Sequence, residues 1–278
     1  MDHAFWLGSV VFDGGRSFGG VAPDLDLHSA RCIRSAEAML MKPKVTARQI
    51  EDLSREGIRR MGPDATLYIR PMFFVRKGLG AARPDPDSTE FVLSLYDSPL
   101  PAFTGFSACL APHRRPTPEM APTDAKASCL YPNGARAAAW AAERGFENAV
   151  VCDANGNVAE FASANIMFAK DGVVVTPVPN GTFLAGITRS RVLKLLREAG
   201  VPVEERTVKP EELETADEIF STGNYGKVLP CTNYGGRALQ PGPLTRKARE
   251  LYFAWSEATW RIIPRSRGQT DDLGIHKQ

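Results

Sequence analysis

The sequence predicts a mixed α/β protein built as two domains that meet near residue 100. Two observations carry this. Helix-like and strand-like segments alternate along the chain, most regularly in its second half, and a Pro-, Ser- and Gly-containing stretch, SLYDSPLPAFTG (94 to 105), follows the strand-like FVLSLY. With 278 residues the chain has room for two modest hydrophobic cores. The expected division is a small N-terminal α/β domain over 1–96, a linker over 97–105, a larger domain over 106–262 and a polar tail over 263–278.

Each element has a local reason. From Asp24 to Leu40, Leu27, Ala30, Ile33 and Ala36 recur at helical spacing. A second helix starts at Thr46, where Thr46 and Gln49 form a capping-box pattern ahead of Ile50, Leu53 and Ile58. TLYIRPMFFVR (66 to 76) is rich in aromatic and branched residues and reads as a strand. NGARAAAWAAERG (133 to 145) is helical, stopped by Gly145. AVVCD and NVAEF flank Asn155-Gly156, a hairpin signal. GVVVTPV is a further strand, and Thr188 to Ala199 a helix ended by Gly200. EIFST is a short strand running into Gly223-Asn224-Tyr225-Gly226, and a last helix spans about Thr245 to Trp260.

Composition excludes several function classes. A formal net charge of +2, with Lys and Arg spread along the chain, gives no electrostatic footprint for nucleic acid or an anionic membrane. No apolar run is long enough to span a bilayer, and the first residues lack the basic and apolar regions of a secretory signal. The five cysteines (32, 109, 129, 152, 231) form no CxxC pair and read as free thiols of a reducing compartment. The four histidines are too dispersed for a metal cluster, so no metal is expected. A cytoplasmic location is expected.

Chemistry enters with TDAKASCLYPNGARAAAWAAERGFENAVVCDANGNVAEFASANIMF (123 to 168), followed by FLAGITRSRVLKLLREAGVPVEER and ADEIFSTGN. This order of motifs resembles the fold-type-IV pyridoxal-phosphate family, which holds branched-chain aminotransferases, D-amino-acid aminotransferases, (R)-amine transaminases and aminodeoxychorismate lyase. The resemblance covers about residues 3 to 255. Relatives usually carry a further small-domain strand ahead of the segment matching DHAFWLG, so either this protein lacks that strand or its start lies upstream.

The resemblance implies roles for individual residues. Lys126 takes the position that binds pyridoxal 5′-phosphate as a Schiff base, a role that needs an amine neutral enough to attack an aldehyde and then to carry a proton. Tyr131 matches the phenol that bonds the cofactor's ring oxygen. Glu160 matches the acid beside the pyridine nitrogen, whose protonation makes the ring an electron sink. Gly186-Ile187-Thr188 opens a helix, so its free N–H groups form an anion site for the phosphate. Arg31 matches the phosphate-binding arginine, although helix geometry leaves Arg34 as an alternative. Asn224 stands where relatives commonly carry a threonine that donates to the phosphate.

For the substrate, Tyr68 and Arg70 lie two apart on a strand and so share a face. The YIRP pattern is similar to the branched-chain subgroup, in which the tyrosine helps bind the α-carboxylate and the arginine the distal carboxylate of glutamate. Tyr225 is assigned to the same side, and Arg16 of FDGGRSF to a position behind it. Leu7 replaces a pocket tyrosine of that subgroup, and no aromatic residue is evident around Asp97 where one is expected. The activity implied is ping-pong amino transfer from branched-chain L-amino acids to 2-oxoglutarate in a homodimer. An (R)-amine or D-amino-acid transaminase is the alternative, and a lyase comes third. A non-catalytic binding protein on a degenerate scaffold is opposed by the intact Lys126, Tyr131 and Glu160.

Overall fold

A computed structural model describes residues 2–62, 65–80 and 82–261. Two sheets organise the chain. After a short helix α1 (His3–Leu7), β1 (Val10–Phe12) and β2 (Gly15–Ser17) lie along one side of β3 (Leu67–Val75), and β6 (Thr89–Asp97) along the other, all antiparallel. Helices α2 (Leu25–Ala38) and α3 (Ala47–Met61) cover one face of this sheet. Two-residue strands β4 (Gly78–Leu79) and β5 (Arg83–Pro84) pair beyond the end of β3.

β1 and β2 are one line of chain in one register, since Phe12 faces Met72 and Gly15 faces Ile69. The ladder breaks between them where Asp13 meets Pro71. The Asp13 N–H donates to the Pro71 carbonyl at 3.0 Å, but proline has no N–H with which to return the bond. The freed stretch, Asp13-Gly14, becomes part of the site.

The second sheet runs β12-β11-β10-β13-β14-β7-β8-β9. Its strands are β7 (Phe106–Arg114), β8 (Asn148–Cys152), β9 (Val158–Phe161), β10 (Asn165–Lys170), β11 (Val173–Pro177), β12 (Val203–Arg206), β13 (Glu218–Gly223) and β14 (Lys227–Tyr234), with β15 (Arg237–Ala238) paired to β14. It is buried on both faces. Ile166, Phe168, Val175 and Ile219 enter one core, while their neighbours Met167, Val174 and Phe220 enter another beneath α5 (Ile187–Glu198) and α7 (Pro243–Thr259). This is why β10 and β11 read as continuous apolar runs rather than alternating ones. Helix α4 (Tyr131–Ala142) packs on β7 and β8 through Ala137 and Ala141. The small α6 (Pro210–Glu214) adds Leu213 to the first core.

The helices and strands expected from the pattern form within a residue or two of their expected ends, the usual uncertainty of such boundaries. The Thr46 capping box has both bonds, Gln49 N–H to Thr46 Oγ1 at 3.2 Å and Thr46 N–H to Gln49 Oε1 at 2.8 Å. The β8–β9 hairpin is held by Asp153, whose Oδ1 accepts from the N–H groups of Asn155 and Asn157. Strands β7 and β14 were not expected. Pro112 and Pro230 interrupt their patterns, and register shifts near Leu110 and Cys231 accommodate the irregularity. The polar tail from residue 263 lies outside the described residues. Among those residues no helix is long and apolar enough to cross a membrane, and all five cysteines are free.

Candidate active site

The two sheets face each other across a cavity of about 340 Å³. Lys126 projects from the segment that stitches the two halves together. Its N–H donates to Ser35 Oγ of α2 at 3.0 Å, its carbonyl accepts from Phe12 N–H at 3.1 Å, and Ala127 bridges to Val11. Ala125 and Ala127 are fully buried in the core of the N-terminal sheet. The lysine is thus placed by the smaller sheet although it follows the linker in sequence.

All ten residues expected at the site line this one cavity: Arg31, Tyr68, Arg70, Lys126, Tyr131, Glu160, Ile187, Thr188, Asn224 and Tyr225. Arg34 does not, lying exposed on the outer face of α2. Leu7 also lies outside the cavity wall, 40 % exposed at the end of α1.

At the reactive end, Lys126 Nζ donates to Tyr131 Oη at 2.6 Å and sits 4.8 Å from the centre of the Phe12 ring. Burial, and then the charge of Arg31, push the Lys126 ammonium below its ordinary range, against the pull of Asp13, Tyr68 and Glu160. Burial, reinforced by Glu160 and Asp13, pushes the Tyr131 phenol up to about 12, so it keeps its proton. Glu160 projects from β9. Burial raises its carboxyl to about 7, while Arg115 and Lys126 oppose that shift. Arg115 Nε lies 3.3 Å from Glu160 Oε1, and Asn165 Nδ2 donates to Oε2 at 3.3 Å.

The other end is built for an anion. Gly186 caps α5, and the first residues Ile187 and Thr188 offer N–H groups at the positive end of a 12-residue helix. A side chain at Gly186 is excluded, because a β-carbon there would lie 2.0 Å from Asn165 Oδ1. Arg31 is oriented by Asp13, with Nε–Oδ2 at 2.6 Å and Nη2–Oδ1 at 2.9 Å. His28 shares that carboxylate through Nδ1 at 2.7 Å and itself lines the cavity. Burial alone would raise the Asp13 carboxyl, but the Arg31 charge and the bonds from His28 and Arg31 hold it far below the carboxylate range. Thr222 adds a buried hydroxyl with no partner on the cavity wall.

Sequence reading did not single out Asp13, His28, Arg115 or Thr222. It also passed over Tyr96, the aromatic residue beside Asp97. Tyr96 stacks on Tyr68 with ring centres 5.6 Å apart, and its Oη accepts from Arg70 Nη2 at 2.5 Å. The cross-strand pairing of Tyr68 with Tyr96 produces the stack, so the expectation of no aromatic near the linker is corrected here. Arg16 is fully buried behind the wall, donating from Nη1 and Nη2 to Ser98, with its Nε unpartnered. Asn224 spends an N–H on the Gly15 carbonyl at 3.1 Å.

An amine with a depressed pKa, a protonated phenol, an acid with cationic and amide support, and an anion cradle with an unsatisfied hydroxyl suit a phosphorylated pyridine aldehyde. Comparison with known proteins agrees. Residues 10–234 match the class IV amino-transferase family, and the chain belongs to that family of pyridoxal-phosphate enzymes. It is 32 % identical over 260 residues to a putative branched-chain-amino-acid aminotransferase of Methanocaldococcus jannaschii, covering 91 % of this chain and 88 % of that one. Among solved structures it is similar to an aminotransferase from Brucella abortus bound to PLP, with TM-score 0.91, 50 % identity and 92 % of each chain covered. It is also similar to the Escherichia coli branched-chain amino acid aminotransferase, with TM-score 0.85, 27 % identity and coverage of 92 % and 88 %.

Proposed function

We propose that this aminotransferase moves the amino group of branched-chain L-amino acids to 2-oxoglutarate, with Lys126 as its cofactor-binding and proton-carrying amine. The observation that carries the reading is the meeting of Lys126, Tyr131 and Glu160 in one cavity with the Arg31–helix α5 anion cradle. Several named relatives are branched-chain-amino-acid aminotransferases, which favours that substrate class.

When bound, the cofactor supplies a carbonyl that condenses with amines and a ring that accepts electron density. The protein's own residues do the rest. Arg31, the N–H groups of Ile187 and Thr188, and the Thr222 hydroxyl bind the phosphate. Glu160, whose charged form is favoured by Arg115 and Lys126, would hold a proton on the ring nitrogen. Tyr131 keeps its phenolic proton for the ring oxygen. Lys126 Nζ, its hold on a proton weakened by burial and the nearby Arg31, would be the base that takes a proton from the substrate carbon. Tyr68 donates to the substrate's α-carboxylate, and Arg70, beside the stacked rings of Tyr68 and Tyr96, meets a distal carboxylate. We place the protein in the cytoplasm as a homodimer, by likeness to the family.

Borohydride reduction of the yellow holoenzyme followed by peptide mapping tests the central assignment. The cofactor should be fixed to the peptide containing Lys126, and a label on another lysine overturns the reading. A panel of L-leucine, D-alanine and (R)-1-phenylethylamine, each with pyruvate and 2-oxoglutarate, tests the substrate class. Turnover of the (R)-amine faster than L-leucine would move the chain to the amine-transaminase branch.

A further inference from the structure

Lys227 opens β14 and has no role in the reading above. Its backbone has φ of +62°, a conformation that is unfavourable for a non-glycine residue. Its side chain is only 1 % exposed. Asp24, the acid whose charge favours the ammonium, is already paired with Arg191 at 2.5 Å. A left-handed backbone and a buried amine without its own carboxylate are both unfavourable, and such positions concentrate at functional sites.

The contacts of Lys227 lead to the cavity. Its Nζ donates to Asn224 Oδ1 at 2.8 Å. An ammonium can only donate, so this bond fixes which way the amide sits. Asn224 Nδ2 is therefore turned toward Gly15 and the bare face of Gly14. A β-carbon at Gly14 would lie 2.3 Å from Tyr68 Oη and 3.1 Å from Asn224 Nδ2. Two donors thus converge over one glycine. Around them stand Arg16, 5.7 and 5.3 Å from the ring centres of Tyr68 and Tyr225, and Arg70, each with a buried, unpartnered Nε. At the cradle end, by contrast, Asp13 balances Arg31.

We propose that Lys227 is a positioning residue for the substrate carboxylate, holding the Asn224 amide with its N–H groups toward Gly14 and Tyr68 and keeping a buried positive charge behind it. The proposal rests on the aminotransferase reading of the site. The groups that face Lys227 are Arg16 of β2, Asp24 ahead of α2, His28 of α2, the Tyr252 ring of α7 at 5.7 Å and Asn224 of its own turn. Burial, and then Arg16, lower the ammonium to about 7, while Asp24 opposes them. Its charge is therefore present near pH 6 and lost by about pH 9, and a bound carboxylate draws it back up by linkage.

Isothermal titration of the holoenzyme with 4-methylpentanoate, a carboxylate that lacks an amine, tests this. At about pH 6 Lys227→Met should bind about tenfold or more weakly than wild type, the equivalent of one charge-assisted bond, and by about pH 9 the ratio should shrink to the part that an uncharged donor supplies. Lys227→Gln, which can donate to Asn224 without charge, should recover part of the affinity with no such pH dependence. In an Asn224→Ala background, adding Lys227→Met should cost less than it does in the wild type, because part of its effect passes through that amide. A ratio near one at both pH values, or looser cofactor with unchanged carboxylate affinity, overturns the proposal. In either case borohydride labelling at Lys126 in the wild type leaves the aminotransferase reading standing, whereas its loss removes both.

Discussion

Replacing Asp13 with asparagine should destabilise the protein by about 3 to 5 kcal/mol, the range for removing one partner of a buried ion pair. The carboxylate is fully buried and accepts four bonds: Arg31 Nε on Oδ2, and Arg31 Nη2, His28 Nδ1 and the Gly14 N–H on Oδ1. An amide cannot satisfy this set. With its nitrogen at the Oδ2 position it turns an N–H against the Arg31 guanidinium, and with its nitrogen at the Oδ1 position it loses three bonds. The milder arrangement still forfeits one charge-assisted bond, about 1.5 to 3 kcal/mol, and leaves Arg31, 12 % exposed, without its counter-charge. For a chain of this size that corresponds to roughly 6 to 20 °C in Tm, at about 2 to 4 °C per kcal/mol. Urea denaturation of the cofactor-free protein measures it. Because the native Asp13 pKa is depressed, its contribution is fully present above the unfolded value near 3.9 and is lost as pH falls toward the native one. The gap between wild type and Asp13→Asn should therefore stay flat from about pH 5 to 8 and narrow only below about pH 4. A gap under about 1 kcal/mol, or one that closes by about pH 6, would refute the assignment of Asp13 as an ionised anchor.

Three further outcomes follow from the same geometry. Arg31→Ala should weaken cofactor affinity about tenfold or more in a spectroscopic titration, while the exposed Arg34→Ala changes it less than about twofold; the reverse pattern would relocate the phosphate site. Glu160→Gln should retain cofactor while slowing proton abstraction in single-turnover kinetics. It should also stabilise the cofactor-free fold by up to about 3 kcal/mol at about pH 8 but not at about pH 4, because a carboxyl raised to about 7 gives its stability below the unfolded pKa and loses it as pH rises through 7. Arg70→Leu should raise KM for 2-oxoglutarate at least about tenfold more than KM for 4-methyl-2-oxopentanoate, since only the former brings a second carboxylate; equal effects would assign Arg70 to the α-carboxylate or to the scaffold.

Local rules made part of this molecule readable. Thr46 and Gln49 are three residues apart, and their reciprocal cap follows from helix geometry alone. Tyr68 and Arg70 share a face because strand side chains alternate, and Gly186-Ile187-Thr188 marks a helix start through its own composition. Lys126, Tyr131 and Glu160 were recognisable by motif. Other features depend on contacts that the order of residues does not announce. Asn224 meets Gly15 across 209 positions, and Arg115 reaches Glu160 only because β7, β8 and β9 lie side by side in the sheet. Tyr96 was overlooked because its value comes from facing Tyr68 across the ladder, a register invisible in either strand by itself. β7 and β14 were hidden by Pro112 and Pro230, which usually argue against an inner strand. The sheet tolerates them through local shifts in pairing.

The break between β1 and β2 also limits how this fold can drift. A sheet under selection for thermal stability would regain its missing rung, with a hydrogen-bearing nitrogen at position 71 and a side chain at position 14 to fill the strand. The second change would set a β-carbon 2.3 Å from the Tyr68 hydroxyl, closing the face that we propose for the substrate. A heat-adapted version of this enzyme must therefore gain its stability elsewhere, for instance on the exposed faces of α3 or α7, and leave the smaller sheet imperfect. Laboratory evolution for heat tolerance that returns Gly14 variants should return them without activity.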